Sequence, residues 1–415
     1  MALTNAQVVA LQLEKVRRKL PILYERDDTF FSLIQKRDVE RVSTRTARIP
    51  LQVSPGGNFG YASFDGGDLG RGSGTTYDFA QITPVGLRFA VEITKLVEYA
   101  TNATDKAVED AAKRNVADAM KQFRHDIDAS LQTAGNGVLA TVATVNTGTN
   151  TLTLNDAPFG ARLIRTNQNL QVYDPTLTTN RGEFTAQAVT NSLGATPTVV
   201  AGGALPAGTS AGDVLVVDGV SGANPTFIYG IPYHHNSSTS GSWMGISRSQ
   251  PYAVANGVNA NSAALTLPVL RLAFNQVRQA IGVDSLGNLV WHGHPTQVAA
   301  YEELGFVISE IEKGGANQDL DLLFRNKTIG GVRIKENIHA DVSRLDLVNL
   351  ETWGRVEWLP IDYYEIGGQT VFPVYGVSGG IAASYLFYLV TGVQFFVDNP
   401  RAISSVTSLA VPAGY

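Results

Sequence analysis

Two histidines one residue apart, His292-Gly-His294, end an apolar run and are the best-placed metal ligands in the chain. Alternate residues on a strand face the same way, so the pair could offer two imidazoles to one ion. His234-His235 and His339 could complete such a site. No carboxylate lies close by in sequence, and two ligands fall short of the three or four that zinc needs. The bland alternative is a histidine satisfied within the core, and no metal or cofactor is expected. Gly376-Val-Ser378-Gly-Gly380 has the spacing of a nucleophile elbow, but that chemistry needs a later histidine and the last is His339. Gly208-Thr-Ser210-Ala-Gly212 repeats the spacing ahead of a strand, where a helix is required, and reads as a turn. The glycines Gly66, Gly67, Gly70, Gly72 and Gly74 invite a phosphate-loop reading, yet no G-K-[ST] follows and no helix opens after them. Asp319/Asp321 and Glu310/Glu312 could be carboxylate dyads or ordinary solvated charges, and spacing alone does not rank them. Cysteine is absent, which removes disulfides, thiolate metal sites and cysteine nucleophiles together. No catalytic set emerges, and the chain is expected not to be an enzyme.

The elements around these residues are unusual in charge. Only 17% of the 415 residues are charged, where a soluble domain carries about 25%, while 44% are hydrophobic. Such a chain folds and offers water few charges. The first fifty residues hold ten Lys/Arg against six Asp/Glu, so the net charge of −5 is a basic arm ahead of an acidic body. The arm residues Arg17, Arg18, Lys19, Lys36 and Arg37 could neutralise phosphates without reading bases, or form a solvated surface. The start of the chain has no uninterrupted apolar stretch of secretory type. The apolar run Ile381 to Val397 is at the short end for a membrane span, and its aromatic and β-branched content favours a strand.

Residues 5–20 pattern as an amphipathic helix through Val9, Leu13, Val16 and Leu20. Extended segments 42–53 and 77–94 flank a glycine-rich excursion, a hairpin too poor in apolar content to stand without a neighbour. Val108, Ala112, Val116, Met120, Phe123, Ile127 and Leu131 then form one stripe on a long helix over 99–133, ended by Gly135 and Gly137. Residues 138–222 change character, with no lysine and short alternating runs between turns, and predict an inserted all-β sandwich or barrel. Mixed α/β signals return beyond Pro225: helices over 266–281 and 296–304, a strand at 288–292, and long apolar strands at 371–375 and 384–397.

This order resembles the major capsid proteins of tailed bacteriophages, the Hong Kong 97 fold. The resemblance is carried by KLPILYERDDTFFSLIQKRDVE (19–40), VSTRTARIPLQV through YDFAQITPVGL (42–87) and EITKLVEYATNATDKAVEDAAKRNVADAMKQF (92–123), then by GISRSQPY (245–252), NLVWHGHPTQVAAYEELG (288–305) and GGVRIKENIHADVSRLDLVNLETW (330–353). It implies an α+β chain: an N-terminal arm (1–41), an E-loop hairpin (42–91), a P-domain spine helix (92–137), the inserted β domain (138–222), an A-domain (223–345) and P-domain strands returning to the A-domain (346–415). The implied role is a shell subunit forming pentamers and hexamers of an icosahedral head around double-stranded DNA, assembled in the host cytoplasm, with no membrane partner. Scaffolding, portal and decoration proteins are the implied partners. The loop tip at Gly56, Gly57, Gly66, Gly67, Gly70, Arg71, Gly72 and Gly74 would lie over an adjacent subunit, and the arm would face DNA.

Two departures matter. Some family members cross-link subunits through an E-loop lysine, but no lysine occurs between Arg37 and Thr94, so no such link is expected. Some begin with a long cleavable scaffolding segment, whereas the arm here starts within a few residues of Met1, so a separate scaffold or none is expected. Three other readings stay open at this point: an encapsulin-like cargo compartment, a metal-dependent hydrolase using His292, His294 and His339, and a carbohydrate-binding protein acting through 138–222.

Overall fold

The computed structural model describes residues 30–37, 46–60, 70–95, 111–191, 196–282, 288–313, 328–329, 331–376 and 380–412. The helix expected at 5–20, Arg17, Arg18, Lys19, Gly66, Gly67, the Asp319/Asp321 pair and Ser378 lie outside them. After a turn of 3-10 helix at Phe31–Leu33, strands β1 (Ala47–Ser54) and β2 (Thr76–Ile82) pair as an antiparallel hairpin. The sequence suggests one extended segment over 77–94. The structure divides it at Thr83-Pro84, and β3 (Val85–Thr94) joins a different sheet from β2. Proline has no N–H for a ladder, which makes it a natural break between two strands.

Helix α1 (Ala111–Ser130) follows, then six strands: β4 (Val138–Asn146), β5 (Thr151–Leu154), β6 (Asn169–Tyr173), β7 (Asn180–Thr190), β8 (Thr198–Ala201) and β9 (Val214–Val217). They close into an antiparallel barrel of order β4-β5-β8-β7-β6-β9, the second of the two all-β forms expected for this stretch. Leu152, Leu170, Val172, Val199 and Leu215 are completely buried, so the barrel interior is filled by its own side chains.

Short helix α2 (Ile231–His234), the small hairpin β10 (Ser242–Trp243) with β11 (Ile246–Ser247), and strand β12 (Asn256–Asn259) lead to α3 (Leu267–Ile281). Pro268 sits in the first turn of α3, and Gly282 closes it at φ 83°, its N–H donating to the Arg278 carbonyl. Next come β13 (Leu289–Gly293), α4 (Pro295–Lys313), β14 (Thr328–Ile329), β15 (Val332–Glu336) and β16 (Leu345–Asn349). Helix α4 runs past its expected end at Leu304, through Gly305, a mid-helix glycine costing only about 1 kcal/mol against alanine. With β20 (Ser404–Thr407) these strands form a six-stranded sheet, β12-β20-β16-β13-β15-β14.

The central sheet is organised by one long strand. β19 (Ile381–Val397) pairs β3 along one edge. On its other edge β17 (Trp353–Tyr363) takes the C-terminal half and β18 (Val371–Tyr375) the N-terminal half. Val85, Leu87, Phe89, Val91 and Ile93 alternate onto one face of β3, and α1 lays Phe123 and Ile127 against it, joined by Leu131 just beyond its end. Each such side chain removed from water contributes ~1.5–3 kcal/mol, which holds the helix as a spine on the sheet. On the opposite face, Val356 and Phe396 meet Ala47, Ala80 and Ile82 of the hairpin together with Trp243. Among the described residues no helix is long and apolar enough to cross a membrane.

Candidate functional site

The spine helix, the six-stranded sheet and the arm converge on Asp128, which is fully buried. Its Oδ1 accepts the backbone N–H groups of Phe30 at 2.9 Å and Phe31 at 2.6 Å, and its Oδ2 accepts Asn337 Nδ2 at 2.8 Å. One turn on, Gln132 Oε1 lies 3.0 Å from His292 Nε2. Phe30 packs its ring 4.8 Å from His292 and 5.4 Å from Trp353, so the arm enters the core as an aromatic plug capped by a carboxylate.

All six histidines of the chain are buried, and they gather around this junction. His125 and His339 meet edge to face at 4.7 Å, and His339 N–H donates to Asn337 Oδ1. His235 Nδ1 lies 3.2 Å from Asp346, whose two oxygens also accept Arg344 Nε at 2.8 Å. Trp243 Nε1 donates to His234 Nδ1. Burial pushes the pKa of His292 down to about 4, with nearby Asp346 acting against it and His235 and Arg344 adding to it. Burial likewise lowers His294 to about 4 and carries His234 well below its ordinary value. Burial alone would raise Asp346, yet Arg344 and His235 hold it down to about 2. His234, His292 and His294 are thereby neutral near pH 7 and serve as hydrogen-bonding and packing groups.

The structure separates the two candidate metal ligands. His292 ends up against Gln132, whereas His294 Nδ1 accepts the N–H of Thr296 and lies 3.0 Å from its hydroxyl, capping the start of α4. Among the described residues, no three His, Cys, Asp or Glu side chains are grouped to hold a metal ion. Ser210 sits in a turn, its N–H donating to Asp213, and Gly376 N–H closes onto the Gly380 carbonyl. Glu310 and Glu312 fall two positions apart on α4.

The arm cations that are described meet carboxylates of their own sheet. Lys36 Nζ is 3.1 Å from Glu357, and Arg37 pairs Asp398 at 2.5 Å and donates to the Glu351 carbonyl. Backbone bonds from Arg37 to Arg355 and from Arg355 to Gln35 stitch the segment along β17.

At the hairpin tip Gly56 has φ 71°, and a side chain there would meet the Gly74 backbone at 2.6 Å, so the two strands of the neck cross where only glycine fits. Beyond the neck Gly70, Arg71, Gly72 and Gly74 are exposed, and Phe59 is completely so. Arg48 covers Phe79 at 4.5 Å on the outward face, beside Tyr77 at 67% exposure.

A groove of about 1180 Å³, not anticipated from the sequence, separates the central sheet and α1 from the barrel. Two ion pairs flank it: Asp126 with Arg165 at 2.5 Å and Arg88 with Asp218 at 3.0 Å. Burial raises the Asp126 pKa, and Arg165 opposes that rise.

A spine helix on a long-stranded sheet, a projecting glycine-tipped hairpin and a second mixed sheet behind them make up the Hong Kong 97-type capsid fold. The chain superposes on the cyanophage A-1(L) capsid asymmetric unit with TM-score 0.56 and 14% identity, covering 98% of this chain and 99% of that one. The capsid of a native GTA particle matches at TM-score 0.49 and 10% identity over 94% and 93% of the two chains. The holo-SrpI encapsulin complex of Synechococcus elongatus PCC 7942 matches at 0.48 and 10% over 100% and 99%. The first of these likenesses establishes the fold, and at such low identity none establishes more. No protein-family model matches the chain, and no curated protein matches it by sequence.

Proposed function

We propose that this chain is the major capsid protein of a tailed bacteriophage, assembling into pentamers and hexamers of an icosahedral head that encloses double-stranded DNA. The observation that carries the reading is the end-to-end agreement of its fold with a cyanophage capsid subunit. The surface supports it. Phe59, Tyr77, Ile366, Tyr375 and Ile381 are each more than half exposed, and large exposed apolar residues on a folded chain mark surfaces that meet other proteins. Rings of five and six need head-to-tail contacts between different patches, and these residues lie in two separate places, the hairpin and the distal end of the central sheet.

In this reading the loop tip with Gly56, Gly57, Gly66, Gly67, Gly70, Arg71, Gly72 and Gly74 crosses to a neighbour. Residues 138–222 form an inserted domain, and the arm residues Arg17, Arg18 and Lys19 approach packaged DNA through non-specific phosphate contacts. Scaffolding, portal and decoration proteins are the further partners, the virion is the final location, and the role is structural and not catalytic. Size-exclusion chromatography with light scattering on the purified chain tests the proposal. Particles of megadalton mass are expected, and a protein that stays monomeric at every concentration and ionic strength would overturn it.

A further inference from the structure

The barrel is fastened to the rest of the chain along one side. Its entry at 134–137 and its exit at 218–226 lie next to each other, with the Phe227 N–H donating to the Gly135 carbonyl at 2.8 Å and the Val217 N–H to the Gly137 carbonyl at 3.1 Å. On this side Tyr173, Val214, Val216 and Val220 pack into the same core as Phe227 and Ile228 of the body. The barrel's own core takes one buried residue from outside the barrel among the described residues, Ala129 near the end of α1. Two bodies that each keep a core and share one margin can tilt against each other without either unfolding.

Across the groove the contacts are polar and face solvent. Arg165 of the barrel pairs Asp126 of α1 at 2.5 Å, and its guanidinium lies 5.6 Å from the ring centre of Phe89 on β3. Arg88 of β3 pairs Asp218, the first residue of the exit, at 3.0 Å. The Arg165 side chain is 40% exposed and that of Arg88 66%, so both pairs are open to screening by salt. Toward the six-stranded sheet, Arg162 Nη2 reaches the Ala340 carbonyl at 3.4 Å and the Val342 N–H the Pro158 carbonyl at 3.3 Å, both longer than the ordinary ~2.7–3.2 Å. The barrel is thus held by apolar packing at its margin and by weak polar contacts elsewhere.

The exit can absorb a change of angle. Gly219 and Gly222 sit at φ 82° and 85°, residues 221–224 are all exposed, and a Cβ on Gly222 would meet no atom within 4 Å. A groove of about 1180 Å³ separates the barrel from α1 and the central sheet, and leaves room for movement in either direction. We propose that the barrel is a swinging module: it pivots at 135–137 and 218–224, the groove is the space of that motion, and the Arg165–Asp126 and Arg88–Asp218 pairs latch it against the spine helix and the central sheet. Rising ionic strength weakens the latch and leaves the apolar pivot in place. The motion needs one chain only, so it holds whether or not the chain builds a shell.

The absence of cysteine makes the motion measurable through a single introduced thiol. Ala129→Cys puts it at a buried position where α1 meets the barrel, Ser130→Cys puts it on the groove wall, and Ala273→Cys, a control, puts it in the core of the six-stranded sheet. Each thiol is labelled with a maleimide in the full 415-residue chain, with the latch intact or with Arg165→Gln and Arg88→Gln combined. Labelling at 129 and 130 is expected to rise about tenfold in the latch variant, and to rise with the latch intact between ~0.02 M and ~0.5 M sodium chloride, while labelling at 273 stays constant. Arg165→Lys, which keeps the charge, should recover most of the protection that Arg165→Gln loses. Rates at 129 and 130 that ignore both the latch variant and salt overturn the proposal. So does an equal acceleration at 129, 130 and 273, which marks a general loosening of the chain in place of a swing.

Discussion

Asp128 and Phe31, 97 residues apart in sequence, are joined by a 2.6 Å hydrogen bond from the Phe31 N–H to the Asp128 carboxylate in the core. The same carboxylate holds Phe30 and Asn337, so one side chain of the spine helix fixes both the arm and the six-stranded sheet.

Removing it should be costly. Asp128→Ala leaves two buried N–H groups and the Asn337 amide without their acceptor, a loss of about 3–5 kcal/mol. Asn337→Ala removes one of these three bonds to Asp128 together with the acceptor of the His339 N–H, and should cost about 2–3 kcal/mol, less than the loss of the carboxylate. Urea unfolding of the two variants measures the difference, and equal losses would contradict the hub.

Acid should weaken the chain in a defined window. With folded pKa values of about 4, His292 and His294 refuse protons that the unfolded chain binds below pH ~6.5. Their contribution is intact above pH ~6.5 and declines by about 1.4 kcal/mol per group and pH unit as pH falls toward 4, where the loss levels off. Asp346, held down to about 2, carries a further loss below pH ~4, while Asp126 with its raised pKa acts in the opposite sense. Thermal midpoints from pH 8 to 4 should be flat and then fall. His234, also held well below its ordinary value, acts in the same window, so His292→Asn should reduce the slope by about a third, and an unchanged slope would remove His292 from the account.

The helix end offers a steric test. A Cβ on Gly230 would meet the Thr133 carbonyl oxygen at 2.2 Å and that of Leu131 at 2.3 Å, both backbone atoms. Gly230→Ala should therefore destabilise by about 3 kcal/mol or more, whereas Gly203→Ala, which opens onto free space, should stay within about 0.5 kcal/mol. Circular-dichroism melts of the pair decide it, and matching midpoints would refute the close approach.

The lysine-free stretch from Arg37 to Thr94 predicts how a shell comes apart. Particles boiled in detergent should run as one band at the chain's 44.4 kDa, and a covalent ladder would show that another residue makes the link.

Periodic elements were legible in the sequence. The stripe Val116, Met120, Phe123, Ile127 and Leu131 does face the core, and the alternating runs of 138–217 do close into a barrel. Both are set by neighbours a few residues away. The parting of β2 from β3 was missed because their shared alternation hid the break at Pro84. The Asp128 hub was invisible because its partners come from the arm and from Asn337, 209 positions away, and no local pattern signals a contact of that range. His292 and His294 looked like one site because the strand period was extended past Gly293, where β13 ends and His294 becomes a helix cap.

Negative-stain electron microscopy of the purified 415-residue chain tests the central claim most directly. Uniform closed shells with five- and six-fold capsomers are the predicted result. Dispersed single subunits under every condition of concentration, salt and pH would contradict it.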